Sequence, residues 1–188
     1  MSVFMTNFQF GALMLFSFIL LSCSSDDDSS GIGGNNLGSV EITLSGDLEG
    51  NRSGIADFSY LDLGAIQQWE LNFNDYNPQT FDLNLMIMSV DEDLSTSPQT
   101  GTYEIGFEAT NSSVFFGSFT NIENQDFANA VEYDTFTSEG GVLIIETSNS
   151  ERVTGSFSFT AHARDDDFNE VGEVHVSGTF SANKRLML

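Results

Sequence analysis

The sequence predicts an all-β protein, an antiparallel β-sandwich of about ten short strands, and three observations predict it. Apolar and polar residues alternate with period two through one segment after another. Turn residues interrupt these segments every 10 to 15 positions or about that. The composition, with 18 Phe and 17 Gly but only two Pro, suits short strands and turns better than helices. An open lipocalin-like β-barrel is the alternative arrangement. The sandwich is preferred because bulky aromatic residues occupy the inward rows, where they fill a core.

The first element is not part of the fold. Residues 10–21 form an apolar run, FGALMLFSFILL, about as long as a signal-peptide core and short of the roughly 20 residues that a membrane-spanning helix needs. It ends in Leu20-Leu21-Ser22-Cys23, and Cys23 is the only cysteine. These four residues resemble the lipobox of bacterial lipoproteins, with Leu21 a less usual choice at its position. Residues 1–9 hold no Lys or Arg, so the α-amine is the only positive charge ahead of the run. The resemblance implies that residues 1–22 are a lipoprotein signal peptide, that cleavage precedes Cys23, and that Cys23 carries a diacylglyceryl thioether and an acylated amine. Several acyl chains give stable anchoring, since each buried CH₂ contributes about 0.8 kcal/mol. Ser25-Asp26-Asp27-Asp28 resembles the acidic export signal of Bacteroidota surface lipoproteins. It implies the cell outer membrane, facing the extracellular side, as the location. Residues 23–38 then form a lipid anchor and a flexible acidic tether, about 15 residues of coil with a root-mean-square span of roughly 20–25 Å.

Residues 39–183 read as a single all-β domain, with residues 184–188 a short tail. Val40, Ile42 and Leu44 alternate with Glu41, Thr43 and Ser45, after which residues 46–54 read as a turn region. Ala56, Phe58 and Tyr60 resume the inward phase; Trp69, Leu71 and Phe73 repeat it, and Phe81, Leu83, Leu85 and Ile87 form the next row. Met86 and Met88 make that strand apolar on both faces at one end, which predicts a cover there. The polar stretch 91–100, with Pro98, reads as a loop. Tyr103, Ile105 and Phe107 form a strand, as do residues 114–119, while residues 123–129 suit a helical turn. Strands follow at 131–136 and 142–145, the second an apolar run expected to be buried on both sides, with Gly140-Gly141 turning between them.

The clearest element is the closing hairpin, residues 153–161 and 174–181 around a loop at 165–170. Pairing Arg164 with Val171 sets Phe157 opposite Gly178 and Phe180 opposite Gly155 on the inward face, each ring over a residue without a side chain. The outward face is then Ser and Thr. The anchor, Gly101-Thr102-Tyr103 and the GSFSFTA…VSGTFSA hairpin together are similar to a group of Bacteroidota lipoproteins, a likeness that spans most of the chain after Cys23. It implies an all-β fold and no activity.

Charge narrows the partners. Five Lys and Arg oppose 28 Asp and Glu, a net charge of −23. Such a surface repels phosphate backbones, so nucleic acid is excluded as a partner; the membrane is reached through the lipid alone. With Cys23 acylated, no thiol is left for disulfides or catalysis. His162 and His175, the only histidines, fall on the outward face of the hairpin near Glu173 and Thr160, without a third ligand at fixed spacing. Asp165, Asp167 and Asn169 sit at positions 1, 3 and 5 of a possible Ca²⁺ loop, yet Glu170 stands where an EF-hand requires Gly. Asp91-Glu92-Asp93 is a second acidic cluster. Tyr76, beside Asn74, Asp75 and Asn77, is the aromatic best placed for exposure. No catalytic residues and no obligatory cofactor are read; the nucleophile elbow, the phosphate loop and the His-Glu-x-x-His pattern are missing from the sequence. The function read from these features is a lipid-anchored, non-catalytic binding or interaction module. A carrier of a small apolar ligand in a β-cup and a carboxylate-dependent glycan-active enzyme are the alternatives.

Overall fold

The computed structural model describes residues 37–62, 67–76, 78–89, 96–106, 113–136 and 140–185, all within one compact unit, Gly34–Leu188. The expected signal peptide, the lipobox-like residues with Cys23, nearly all of the expected tether, and Asp91-Glu92-Asp93 lie outside the described residues.

The unit is all-β. The described residues form ten strands: β1 Gly38–Gly46, β2 Gly50–Asp62, β3 Gln67–Asn74, β4 Phe81–Ser89, β5 Gly101–Ile105, β6 Ser113–Asn121, β7 Val131–Asp134, β8 Gly141–Ser148, β9 Arg152–Arg164 and β10 Glu170–Lys184. Two single-turn 3₁₀ segments, Glu123–Gln125 and Phe127–Asn129, occupy the stretch where a helical turn is expected.

Alternation sets the strands, and burial follows it. In β9 every second residue from Val153 to Ala163 is buried, and in β4 the row Phe81, Leu83, Leu85 and Ile87 has almost no exposed surface. The strands form one sheet in the order β1-β10-β2-β3-β4-β6-β7-β9-β8-β5, with further pairings of β1 with β2 and β9 with β10. Because β9 pairs with β10, the succession β10, β1, β2, β3, β4, β6, β7, β9 returns on itself. The sheet therefore curls until its sides face each other across one core, in the manner of a sandwich. The ladders are antiparallel except for a short parallel contact of Asn183 and Lys184 with Asp57 and Phe58.

Aromatic rings fill that core. Phe73 stacks on Phe157 at 5.5 Å and meets Phe180 at 5.3 Å, and Phe81 stacks on Phe119 at 6.3 Å. Phe157 does lie opposite Gly178, and Phe180 opposite Gly155. A Cβ on Gly178 would stand 2.7 Å from Phe157 Cζ, too close for any real contact, so the glycine is what admits the ring.

Four local expectations are corrected. Arg164 pairs with Glu170, not Val171, because a bulge between Glu170 and Gly172 absorbs one residue. The turn expected over 46–54 shrinks to Asp47, Leu48 and Glu49, since Gly50 already opens β2. The run 142–145 is buried on one side only: Leu143 and Ile145 face the core, whereas Val142 and Ile144 remain 39% and 38% exposed beside the Ser156 and Ser158 row of β9. Lys184, assigned to the tail, still belongs to β10, and Arg185 is tied down beyond it: its N–H donates to Phe58 O at 2.8 Å and its guanidinium to Asp57 at 3.1 Å.

Candidate functional site

The expected site residues are placed as follows. Asp165 accepts hydrogen bonds from the Asp167 and Asn169 N–H groups at 3.0 and 2.9 Å and from Asn169 Nδ2, so its carboxylate closes the β9–β10 loop. Those bonds hold Asp165 below its ordinary pKa, the Asn169 side chain contributing most. Asp167 takes part through its backbone, and Asn169 through both of its donors. Among the described residues no three His, Cys, Asp or Glu side chains gather as a metal would require.

His175 lies within 3.3 Å of Ser158 Oγ and 3.4 Å of Thr160 Oγ1, and His162 within 3.5 Å of Glu170. Each histidine thus has its own neighbours on the outward face. Tyr76 is exposed, and Tyr133 is buried.

A different site emerges where the β1–β2 turn, the start of β4 and the end of β6 share one end of the sheet. There a cleft of 600 Å³ opens. Its positive pole is Arg52, which pairs with Ile42 across the β1–β2 ladder and therefore shares the inward phase of Ala56 and Phe58. An arginine in a core row at a strand end covers apolar surface with its stem while the charge reaches the mouth. Nη1 donates to Asn51 O at 3.1 Å, while Nε is buried without an acceptor.

The walls are held by short-range bonds. Gly46, at φ +105°, permits the reversal after β1, and Asp47 then binds the β10 edge, its N–H donating to Glu173 O at 2.9 Å and its Oδ2 accepting from Glu173 N at 2.8 Å. Across the cleft, Asp75 accepts from Thr80 N and Oγ1 at 2.7 and 2.6 Å, and Thr80 O accepts from Ile122 N at 2.9 Å. Asn124 and Gln125 close the rim with φ of +52° and +60°, a left-handed backbone unusual for two successive residues other than glycine.

Below the rim lies Tyr133, whose phenol is pushed above its ordinary pKa by burial, with the Asp47 and Glu123 charges adding to it. Glu49 and Glu123 complete the acidic side of the cleft. A second, 450 Å³ depression runs over the β1–β10 face between Glu41, Thr43 and Thr179.

Sequence reasoning missed Arg52 because three glycines within residues 46–54 read as a turn. The signal that finds it is phase: counting back from Phe58 in steps of two passes Ala56 and Gly54 and arrives at Arg52. Compared with protein-family models, with curated proteins and with solved structures, the chain gives no match.

Proposed function

We propose that this chain is a lipid-anchored protein of the cell envelope, displayed on the outer membrane, that works as a non-catalytic binding module. The observation that carries the reading is the sole cysteine, Cys23, at the end of an apolar run and in front of an acidic tether. The geometry of the domain supports it. The chain enters the sheet at Gly38, and the Arg52 cleft begins beyond Gly46 at the far end of β1, about 30 Å away at roughly 3.3 Å per residue.

The interior between the sheet's sides is occupied by Phe73, Phe157 and Phe180, which favours the cleft over a cup as the place for a ligand. The carboxylates of Asp47, Glu49 and Glu123 keep a glycan-active enzyme as the second reading, since such chemistry needs two acids about 5–10 Å apart.

Mass spectrometry of the protein from the cells that make it tests the anchor. The expected product begins at Cys23 and carries acyl chains; a product that retains Met1 or a free sulfur at Cys23 overturns the reading. Protease applied to intact cells is expected to remove the domain, and protection until the outer membrane is broken would refute display. A Glu49→Gln, Glu123→Gln double variant separates binding from hydrolysis: glycan cleavage by the wild type, abolished in the variant, would establish the enzyme instead.

A further inference from the structure

We propose that the Arg52 cleft binds a small zwitterion, a carboxylate and an ammonium group held a few bonds apart as in an amino acid or a short peptide. The inference rests on the binding reading above and names the ligand class of that site.

Charge separation inside the cleft is the first argument. Among the described residues Arg52 forms no ion pair within 4.0 Å, although Asp47, Glu49 and Glu123 line the same cavity and the protein carries 28 acidic residues. Arg164 and Arg185, by contrast, are paired with Asp134 and Asp57. Asp47 is already engaged by the Glu173 N–H, and the guanidinium gives one bond to Asn51 O while its buried Nε has no acceptor among the described residues. One positive and three negative side chains thus line the same cleft with no ion pair between them among the described residues.

Each simple ion fails in such a place. A lone anion drawn to Arg52 meets three carboxylates lining the same cleft on a surface of net charge −23, and a lone cation drawn to those carboxylates meets the guanidinium. A molecule bearing both charges satisfies both poles at once. The planar fork of arginine matches a carboxylate with two parallel hydrogen bonds.

Backbone strain is the second, independent argument. Asn124, which lines the cleft, and its neighbour Gln125 hold left-handed φ values, and such strain, where the rest of the fold maintains it, gathers at ligand clamps. The 600 Å³ volume falls within the roughly 300–1,000 Å³ of small-molecule sites and exceeds what an acetate ion would fill.

Glycylglycine is the probe, with acetate and ethylamine as its two halves, titrated into the folded domain and followed by amide NMR shifts. The dipeptide is expected to give saturable shifts confined to residues 47–52 and 121–125, and each half to bind about tenfold more weakly or worse. Arg52→Gln should weaken dipeptide binding at least about tenfold, with Arg52→Lys between the two, while Arg152→Gln on the exposed start of β9 leaves it unchanged. Should Arg52→Gln not fold, the Glu49→Gln, Glu123→Gln variant decides: it should lose affinity for the dipeptide and gain affinity for acetate. No saturable shift, equal binding of acetate and dipeptide, or indifference to these substitutions overturns the proposal. A protein found acylated and surface-exposed whose cleft ignores the dipeptide would retain the anchored role and lose this ligand class. A responsive cleft on a protein without acylation would do the reverse.

Discussion

Phe157 shows how much one side chain can depend on the lack of another. Its ring occupies the volume over Gly178 and stacks with Phe73 and Phe180 at 5.5 and 6.3 Å. Gly178→Ala puts a methyl group within 2.4 Å of Glu41 O and 2.7 Å of the Phe157 ring and is expected to destabilise the domain by about 1–3 kcal/mol, whereas Ser177→Ala, facing outward, should stay within about 0.5 kcal/mol. Urea denaturation of the two variants measures the contrast, and equal midpoints would discard the packing argument. Asp82 makes a residue-scale prediction about pH. Burial, more than the nearby Asp57, raises its pKa, against the lowering effects of Asn84 and Arg185. A carboxyl whose folded pKa lies above its unfolded value is destabilising when ionised: stability is full below the ordinary carboxylate value and is lost as pH rises through the raised one. Asp82→Asn should therefore be more stable than the wild type at pH 7. The gain should vanish at about pH 3, where Asp82 itself is protonated; a gain that persists there would assign the effect to something other than ionisation. The Phe157 and Gly178 pairing is legible in the sequence because two alternating strands around one loop fix their own register. Asp82 is not, because the local sign of a cover over β4, Met86 and Met88, lies at the other end of the strand.

At the scale of elements, β9 has the most to accommodate. One edge pairs with β10 along nearly its whole length, while the other is shared, with β8 from Val153 to Phe159 and with β7 at His162. The place where β7 stops is marked by Thr135, fully buried, whose N–H donates to Gly117 O at 3.0 Å and whose Oγ1 accepts from Gly117 N at 3.0 Å. The hydroxyl continues a ladder that the backbone has left. Thr135→Val keeps the shape and removes that acceptor, leaving the Gly117 N–H buried and unpaired, and is expected to cost about 1–3 kcal/mol. Thr135→Ser should recover most of the loss, a recovery that calorimetry can read; no difference between Val and Ser would refute the role of the hydroxyl. β8 illustrates the limit of sequence patterns. Four successive apolar residues look alike whether one or both faces are covered, and only the pairing of β8 between β5 and β9 shows that Val142 and Ile144 face out.

The whole molecule is governed by its charge. At −23, with Arg164 and Arg185 already paired, the remaining acids repel one another across a small surface. Screening shortens to about 3 Å at 1 M salt from about 30 Å at 0.01 M, so the thermal midpoint should climb steadily between those concentrations. A midpoint indifferent to salt would mean that the charges are locally compensated. By itself the sequence determined the strands, their inward rows, the closing hairpin with its ring-over-glycine pairs, and the apolar run that ends in Cys23. All of these are local, written in a period of two or in a single cluster of residues. Only the tertiary structure decided that β9, paired with β10 in the hairpin, also meets β7 so that the sheet returns on itself, and that the turn at Asp47 shares an end with Thr80 and Asn124. Those residues are separated along the chain by tens of positions, and no local pattern encodes which turns will be neighbours. The order in which strands pair settles it, and with it the cleft that gathers Arg52 and three carboxylates.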